Sequence, residues 1–113
     1  MDIFVISLKD SLDRKKSFDK LNNHINYKYF DAIDGKKLSF KKIKKIVNKN
    51  AKGYSKSAIG CAMSHLSLWN KCIELNKPII IMEDDAFVSN DFTTHLDTVI
   101  NMLPENWHIL QYG

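Results

Sequence analysis

The sequence predicts an α/β fold with a mainly parallel sheet. Strand-like and helix-like segments alternate along its 113 residues, a pattern typical of an α/β sandwich. Two predicted strands, at residues 3–8 and 79–82, are apolar runs with little alternation, as expected for strands buried on both faces. The composition, 44% hydrophobic and 27% charged, is that of one globular domain and excludes a disordered chain. Cys61 and Cys72 lie in an apolar helical pattern and are expected to be free thiols.

The first predicted strand, residues 3–8, is followed by a predicted helix that runs to about residue 22. Asp10 or Ser11 can cap this helix, because short polar side chains accept hydrogen bonds from the free N–H groups of a first turn. A second strand is predicted over residues 26–32. The side chains of the helix that we expect to face the core are Leu12, Phe18 and Leu21.

Two further helices are predicted in the middle of the chain. Ser39 can cap a short lysine-rich helix, and Ser55 or Ser57 can start a longer helix that ends near residue 75. Residues 48–56 form the predicted loop before the longer helix. Apolar residues at helical spacing are Phe40, Ile43, Ile46 and Val47 in the first helix and Ile59, Ala62, Met63, Leu66, Trp69 and Ile73 in the second.

The last part of the chain is predicted to add a strand, a helix and a strand. The strand over residues 79–82 leads into an acidic triplet and an extended segment to residue 89, after which Asp91 can cap a helix that ends at Pro104. A final strand is predicted over residues 107–112. The apolar face of the helix is expected to be Phe92, Leu96, Val99, Ile100 and Leu103.

Charge is distributed unevenly along the chain. Residues 1–56 carry fifteen Lys and Arg against six Asp and Glu, and residues 57–113 carry two against seven. This split predicts a basic surface beside an acidic site. The nine lysines from Lys36 to Lys56 form either a solvated helix face or a dock for an anionic membrane or glycolipid. Nucleic acid is not an expected partner, and the expected location is cytoplasmic, at most peripheral at the inner face of the membrane.

The triplet Glu83-Asp84-Asp85 is the strongest candidate for a functional motif. It follows a buried strand, and ligands of open α/β sheets bind outside the carboxyl ends of the strands. Adjacent carboxylates repel one another, and a hard cation such as Mg²⁺ or Mn²⁺ removes that cost. In an extended segment Glu83 and Asp85 would share one side and Asp84 would face the other. A solvated acidic turn or a helix cap is the alternative interpretation.

Other polar residues are weaker candidates. Arg14 lies in the first helical turn after a strand, where it either binds a phosphate or belongs to a solvated face. Asp34 and Gly35 form either a plain turn or part of a site. Ser64 and His65 are polar residues on an apolar helix, either satisfied within the core or at the mouth of a site.

Five motifs follow one another along nearly the whole chain. They are Val5-Ile-Ser-Leu8 with Arg14, Phe30-Asp-Ala-Ile-Asp-Gly35, Ile59-Gly-Cys-Ala-Met-Ser-His-Leu-Ser-Leu-Trp69, Ile80-Ile-Met-Glu-Asp-Asp-Ala86 and Trp107-His-Ile-Leu-Gln-Tyr-Gly113. In this order they resemble glycosyltransferase family 25, which includes bacterial lipooligosaccharide galactosyltransferases and collagen galactosyltransferases.

The resemblance implies a GT-A-like (Rossmann-like) sandwich that transfers a sugar, typically galactose from UDP-galactose, to a hydroxyl of a lipooligosaccharide acceptor. It implies that Glu83 and Asp85 hold Mn²⁺ or Mg²⁺, with Asp85 in direct contact. Asp84 and His65 are the candidates for the general base. Residues implied to bind the nucleotide sugar are Ser7, Leu8, Arg14, Asp34, Gly35, Ser64 and Glu83.

One alternative stays open, and a second is disfavoured by the positions of its residues. Family members are longer, so residues 1–113 are expected to be the N-terminal, donor-binding portion of one domain or a shortened remnant that at most binds a nucleotide sugar. A phosphorelay receiver module would also have acidic residues at a strand end. Its acidic pair should follow the first strand, however, and a lysine should follow a later strand, and neither is found here.

Overall fold

A three-stranded parallel sheet is the centre of the computed structural model, which describes residues 1–48 and 53–112. The strand order is β2-β1-β3, and both pairings are parallel. The strands and α-helices of the described residues are β1 (Asp2–Ser7), α1 (Leu12–Leu21), β2 (Lys28–Asp31), α2 (Phe40–Ile46), α3 (Lys56–Leu75), β3 (Ile79–Glu83) and α4 (Phe92–Met102), and a short 3-10 helix at Gly35–Lys37 follows β2. The predicted α/β class with a mainly parallel sheet is therefore confirmed.

The central strand β1 separates two hydrophobic clusters, because successive side chains of a strand point to opposite faces. On one face, α1 connects β1 to β2, and on the other, α3 leads from β2 to β3. The buried cluster on the first face is Ile3, Val5, Phe18, Ile25 and Val88. The buried cluster on the second face is Phe4, Ile6 and Leu68. The connections therefore change face at β1, which makes the carboxyl ends of β1 and β3 a topological switch point.

The predicted helix starts at Ser39 and Ser55 are confirmed. The hydroxyl oxygen of Ser39 accepts a hydrogen bond from the N–H of Lys42, and that of Ser55 accepts one from the N–H of Ala58. Residues 49–52, which belong to the predicted loop, lie outside the described residues. No helix in the described part of the chain is long and apolar enough to cross a membrane.

The core-facing side of several helices differs from the prediction. In α1 Phe18 is buried, as expected, but Leu12 and Leu21 are exposed. In α2, all of which is described, no side chain is buried, so its apolar stripe is not a core face. In α4 Leu96 is buried and the other four predicted residues are half-buried. A short helix can bury only the side chains that neighbouring elements cover. The lysines of α2 favour water, so this helix stays at the surface.

The buried face of α3 is also not its most apolar one. It consists of Ile59, Gly60, Ser64 and Leu68. Small side chains at Gly60 and Ser64 allow α3 to approach its neighbours closely, and this approach turns part of the predicted stripe outward. Predicted core residues that are exposed in α3 are Ala62, Leu66, Trp69 and Ile73.

The prediction of a final strand at residues 107–112 is wrong. These residues are described and form no strand or helix. A turn in which the N–H of Trp107 bonds to the carbonyl of Pro104 precedes them. They then run along a groove of about 1090 Å³ that separates them from β3, so β3 remains an edge strand. Residues 86–89 likewise belong to no strand, because the chain turns directly after Glu83.

An aromatic cluster joins α1 to the segment that forms β2. The rings of Phe18, Tyr27 and Tyr29 meet edge to face, and both tyrosine hydroxyls donate to a carboxylate oxygen of Asp19. Burial, and then the hydrogen bond to Asp19, raises the pKa of Tyr27 to about 12. The same causes raise the pKa of Tyr29.

This cluster predicts a loss of stability at alkaline pH. An unfolded tyrosine loses its proton near pH 10.0, whereas Tyr27 in the folded chain holds it up to about 12. Between these values the unfolded state binds fewer protons, so the free energy of unfolding falls as the pH rises. Denaturant unfolding from pH 9 to pH 12 should show this fall, and Tyr27→Phe should make it shallower. Tyr54→Phe, at an exposed side chain, is the control, and an unchanged slope in Tyr27→Phe would contradict the prediction.

Candidate active site

A cleft of about 400 Å³, lined by both charged and apolar side chains, opens at the carboxyl edge of the sheet. Residues that follow each of the three strands line it, as the parallel topology requires. The volume lies within the range of roughly 300–1,000 Å³ usual for small-molecule sites. Predicted site residues that line the cleft are Ser7, Leu8, Arg14, Asp34, Gly35, Glu83 and Asp84.

The carboxylate of Asp84 links the first helix to the end of the sheet. One of its oxygens accepts a hydrogen bond of 2.6 Å from the hydroxyl of Ser7, and the other lies 2.5 Å from Nη2 of Arg14. The Asp84 side chain is only 9% exposed, whereas that of Arg14 is 54% exposed. Asp84 therefore holds one edge of a guanidinium group whose remaining N–H groups are available to the cleft.

The three carboxylates do not alternate as an extended segment would require. Strand β3 ends at Glu83, and the N–H of Ala86 bonds to the Glu83 carbonyl across a turn. Asp85 then lies 3.3 Å from Nη2 of Arg14, while Glu83 contacts residues of α3. The expectation that Glu83 and Asp85 share one side through strand alternation is therefore wrong, because the turn replaces the extended backbone.

Glu83 forms a cluster with two residues of α3. Its Oε1 atom lies 3.3 Å from Nε2 of His65 and 3.6 Å from Sγ of Cys61. Burial, and then the nearby carboxylate of Glu83, raises the pKa of the Cys61 thiol. Cys61 lines the cleft, His65 lines the neighbouring groove along β3, and Glu83 borders both. The prediction that both cysteines are free thiols is confirmed, and both are half-buried; the sequence analysis assigned no role to Cys61.

Ser64 lies behind the cleft and supports its wall. Its hydroxyl is fully buried, accepts a 2.8 Å hydrogen bond from the N–H of Ile33 and donates one of 2.8 Å to the carbonyl of Gly60. The structure therefore places Ser64 in the packing of α3 against the loop after β2. His65, next to it, reaches the groove and not the cleft.

The same wall depends on two glycines in direct backbone contact. A Cβ atom on Gly35 would lie 1.7 Å from the carbonyl oxygen of Lys56, and one on Gly60 would lie 2.5 Å from the nitrogen of Gly35. Such distances are far below van der Waals contact, so both positions require glycine. Asp34 completes the loop by accepting a hydrogen bond of 3.0 Å from the N–H of Lys36.

Asn22 positions the segment after the acidic turn, and sequence reasoning missed it. Its side chain is fully buried; the amide nitrogen donates to the carbonyls of Phe18 and Ala86, and the amide oxygen accepts from the N–H of Val88. An Asn at the predicted end of a helix was the available signal. The partners at residues 86–88 are distant in sequence, so the pairing was not predictable.

The fold and the cleft define a class of protein. A parallel sheet with helices on both faces and a cleft at its switch point is a Rossmann-like α/β architecture, and ligands of such proteins bind at that position. The profile of glycosyltransferase family 25, described as LPS biosynthesis protein, matches residues 1–113. The chain therefore belongs to glycosyltransferase family 25.

Curated relatives agree with this assignment. Human procollagen galactosyltransferase 2 is 28% identical over 128 aligned positions, which cover 99% of this chain and 20% of the relative. A glycosyltransferase 25 family member of Anopheles gambiae is 31% identical over 97 positions, covering 74% and 16%. A putative glycosyltransferase of Haemophilus influenzae is 33% identical over 116 positions, covering 96% and 40%. The chain thus spans a fifth or less of the two animal relatives and two fifths of the bacterial one.

Replacing Asn22 with alanine should destabilise the chain. The substitution leaves the Ala86 carbonyl and the Val88 N–H without their bonds to Asn22 in a buried region, and each such group costs about 1–3 kcal/mol. We expect the free energy of unfolding to fall by about 2–6 kcal/mol in urea titrations. Asn23→Ala, at the exposed neighbouring position, is the matched control. Equal effects of the two substitutions would show that the buried bonds of Asn22 contribute nothing.

Proposed function

We propose that this chain forms the donor-binding part of a glycosyltransferase that moves a sugar from a nucleotide diphosphate to a hydroxyl of a lipooligosaccharide or lipopolysaccharide. The observation that carries the proposal is Arg14, held by Asp84 at the switch-point cleft. The family description supports the acceptor class, and the name of the human relative supports galactose, hence UDP-galactose, as the donor.

The cleft offers the groups that a diphosphate requires. The guanidinium of Arg14 can donate two parallel hydrogen bonds to phosphate oxygens. Ser11 and Arg14 bring the first turn of α1 to the cleft, where free N–H groups and the helix dipole favour an anion. Lys36 also lines the cleft and adds a second cation. The uridine would then lie toward Leu8, Asp34 and Gly35.

The acidic turn suits the divalent ion that the family resemblance implies. The Asp85 side chain is 69% exposed and meets Arg14 at 3.3 Å, so it has oxygen atoms available to Mn²⁺ or Mg²⁺, which prefer carboxylate ligands. Asp85 would hold the ion, whereas Glu83, the second ligand that the resemblance implies, contacts Cys61 and His65 of α3 instead. Such an ion, when bound, neutralises charge on the diphosphate leaving group.

The two candidates for the general base differ in what they already contact. Both oxygens of Asp84 are engaged, one by Ser7 and one by Arg14, so we assign it a positioning role. His65 borders the larger groove, and its Nε2 meets the carboxylate of Glu83. An acceptor in that groove would reach the donor cleft at Glu83, which leaves His65 as the proposed base.

Calorimetric titration with UDP-galactose, with and without Mn²⁺, tests the donor site. Removal of a charged hydrogen-bond partner costs about 1.5–3 kcal/mol, so Arg14→Ala should weaken binding about 10- to 100-fold. Asp85→Asn should abolish the enhancement by Mn²⁺. Lys16→Ala removes a nearby exposed charge of the same helix and should bind as the unsubstituted chain does.

Two results would count against the proposal. If the folded chain binds no nucleotide sugar, the alternative of a shortened remnant without donor binding is favoured. If Arg14→Ala binds as tightly as the unsubstituted chain, the donor lies outside this cleft. In either case circular dichroism must first show that the chain is folded.

We also propose that α2 contacts the anionic surface of a membrane or glycolipid from the cytoplasmic side. Phe40 is 68% exposed at the start of this helix, and Lys44 lies over its ring. An exposed aromatic ring among lysines is typical of helices that lie at a lipid interface. Lys49 and Lys52 of the predicted lysine run lie outside the described residues.

The membrane proposal predicts a specific charge dependence. Each lysine near an anionic surface contributes about 1 kcal/mol, so the triple variant Lys41→Ala, Lys44→Ala, Lys45→Ala should bind anionic vesicles roughly 100-fold more weakly in sedimentation assays. Raising the salt concentration should weaken binding further. The matched control is the triple variant Lys9→Ala, Lys16→Ala, Lys20→Ala, which removes the same charge elsewhere. Equal loss in both triples, or equal binding to neutral vesicles, would contradict a role of α2.

A further inference from the structure

We propose that Cys61, His65 and Glu83 form a binding site for a borderline-soft divalent transition-metal ion, specifically Zn²⁺. This site is distinct from the donor ion proposed at Asp85. It does not depend on the proposed transferase activity, because its ligands and their spacing are features of the folded chain alone.

Two of the three separations between the ligand atoms match those around a tetrahedral ion. The Oε1 atom of Glu83 lies 3.3 Å from Nε2 of His65 and 3.6 Å from Sγ of Cys61, and all three atoms lie within 4.8 Å of one another. A tetrahedral Zn²⁺ with bonds of about 2.0–2.3 Å separates its ligands by roughly 3.3–3.6 Å. The two separations from Glu83 therefore suit a common tetrahedral centre, and the ligand atoms of Cys61 and His65 lie at most 4.8 Å apart.

Two rigid elements supply the ligands. Cys61 and His65 are four residues apart on α3, so they lie on one face of the helix, one turn from each other. Glu83 is the last residue of β3, where its position is fixed by pairing with β1. Ligands on helices and strands keep their spacing better than ligands on loops.

The chemistry of the ligands selects the ion. Thiolate and imidazole favour zinc over magnesium or manganese, which prefer an all-oxygen set. Three protein ligands also leave the fourth position of a tetrahedral zinc open for water or substrate. The side chains of His65 and Glu83 are 32% and 50% exposed, so an ion and a water molecule can reach the site from the groove.

A hydrogen-bonded cluster without metal affinity is the competing interpretation, because the His65 to Glu83 distance also suits a weak hydrogen bond. Titration of the full chain with Co²⁺, with no nucleotide sugar present, separates the two. A zinc-type site predicts one equivalent bound, tetrahedral visible absorption, a near-ultraviolet thiolate-to-cobalt band, and displacement by Zn²⁺.

Variants assign the ion to its ligands. Cys61→Ser should abolish the thiolate band. His65→Gln and Glu83→Gln each remove a direct ligand. Each should therefore weaken binding by more than the roughly 10- to 100-fold that is lost when a residue that only contacts a ligand is removed. Cys72→Ser is the matched control, since Cys72 lies on the same helix but its sulfur contacts the carbonyl of Lys77. Asp85→Asn should leave the band unchanged, which separates this site from the donor ion.

A second measurement uses the unsubstituted chain, so its result does not depend on whether the variants fold. Zn²⁺ should slow the alkylation of Cys61 at least tenfold while leaving that of Cys72 unchanged, with peptide mass spectrometry reporting both. Absence of a thiolate band, a band that survives in Cys61→Ser, or equal alkylation of the two thiols with and without Zn²⁺ would overturn the proposal.

Discussion

Compensation of the charge on Asp84 is the interaction on which the site depends. A carboxylate that is 9% exposed loses most of its hydration, and an unpaired buried charge costs several kcal/mol. Ser7 at the end of β1 and Arg14 in α1 together supply the compensating donor and cation. These contacts therefore hold three segments in fixed relative positions: the end of β1, the first turn of α1 and the turn after β3. They also orient Arg14 toward the cleft.

A second constraint comes from small side chains on α3. Gly60 packs against the backbone of Gly35, and the hydroxyl of Ser64 bonds to Ile33, so the helix is drawn onto the loop after β2. This contact determines the rotation of α3 about its axis. The rotation turns Cys61 and His65 toward Glu83 and leaves Trp69 exposed. Packing at two small residues thus decides which polar side chains meet the end of β3.

The sequence was sufficient to predict the features that depend on local pattern and topology. The apolar runs identified β1 and β3, and the serines identified helix starts. Parallel strands bring the residues after each strand to one edge of the sheet, so the position of the site could be predicted. Features that depend on distant partners were not predictable. The buried bonds of Asn22 to residues 86–88 belong to this group, as does the cluster at Cys61. The segment at residues 107–112 has a strand-like composition, but composition cannot supply a pairing partner.

Glu83 stands between two ligand environments of different chemistry. On one side, the carboxylate of Asp85 and the guanidinium of Arg14 present hard oxygen atoms and a cation, which suit a diphosphate with Mn²⁺ or Mg²⁺. On the side of the groove, Cys61 and His65 present sulfur and nitrogen, which suit Zn²⁺. The Nε2 atom of His65 cannot both bind zinc and accept a proton from an acceptor hydroxyl. If both proposals hold, zinc bound at this position prevents His65 from acting as the base. The donor ion would then promote sugar transfer, and zinc would inhibit it.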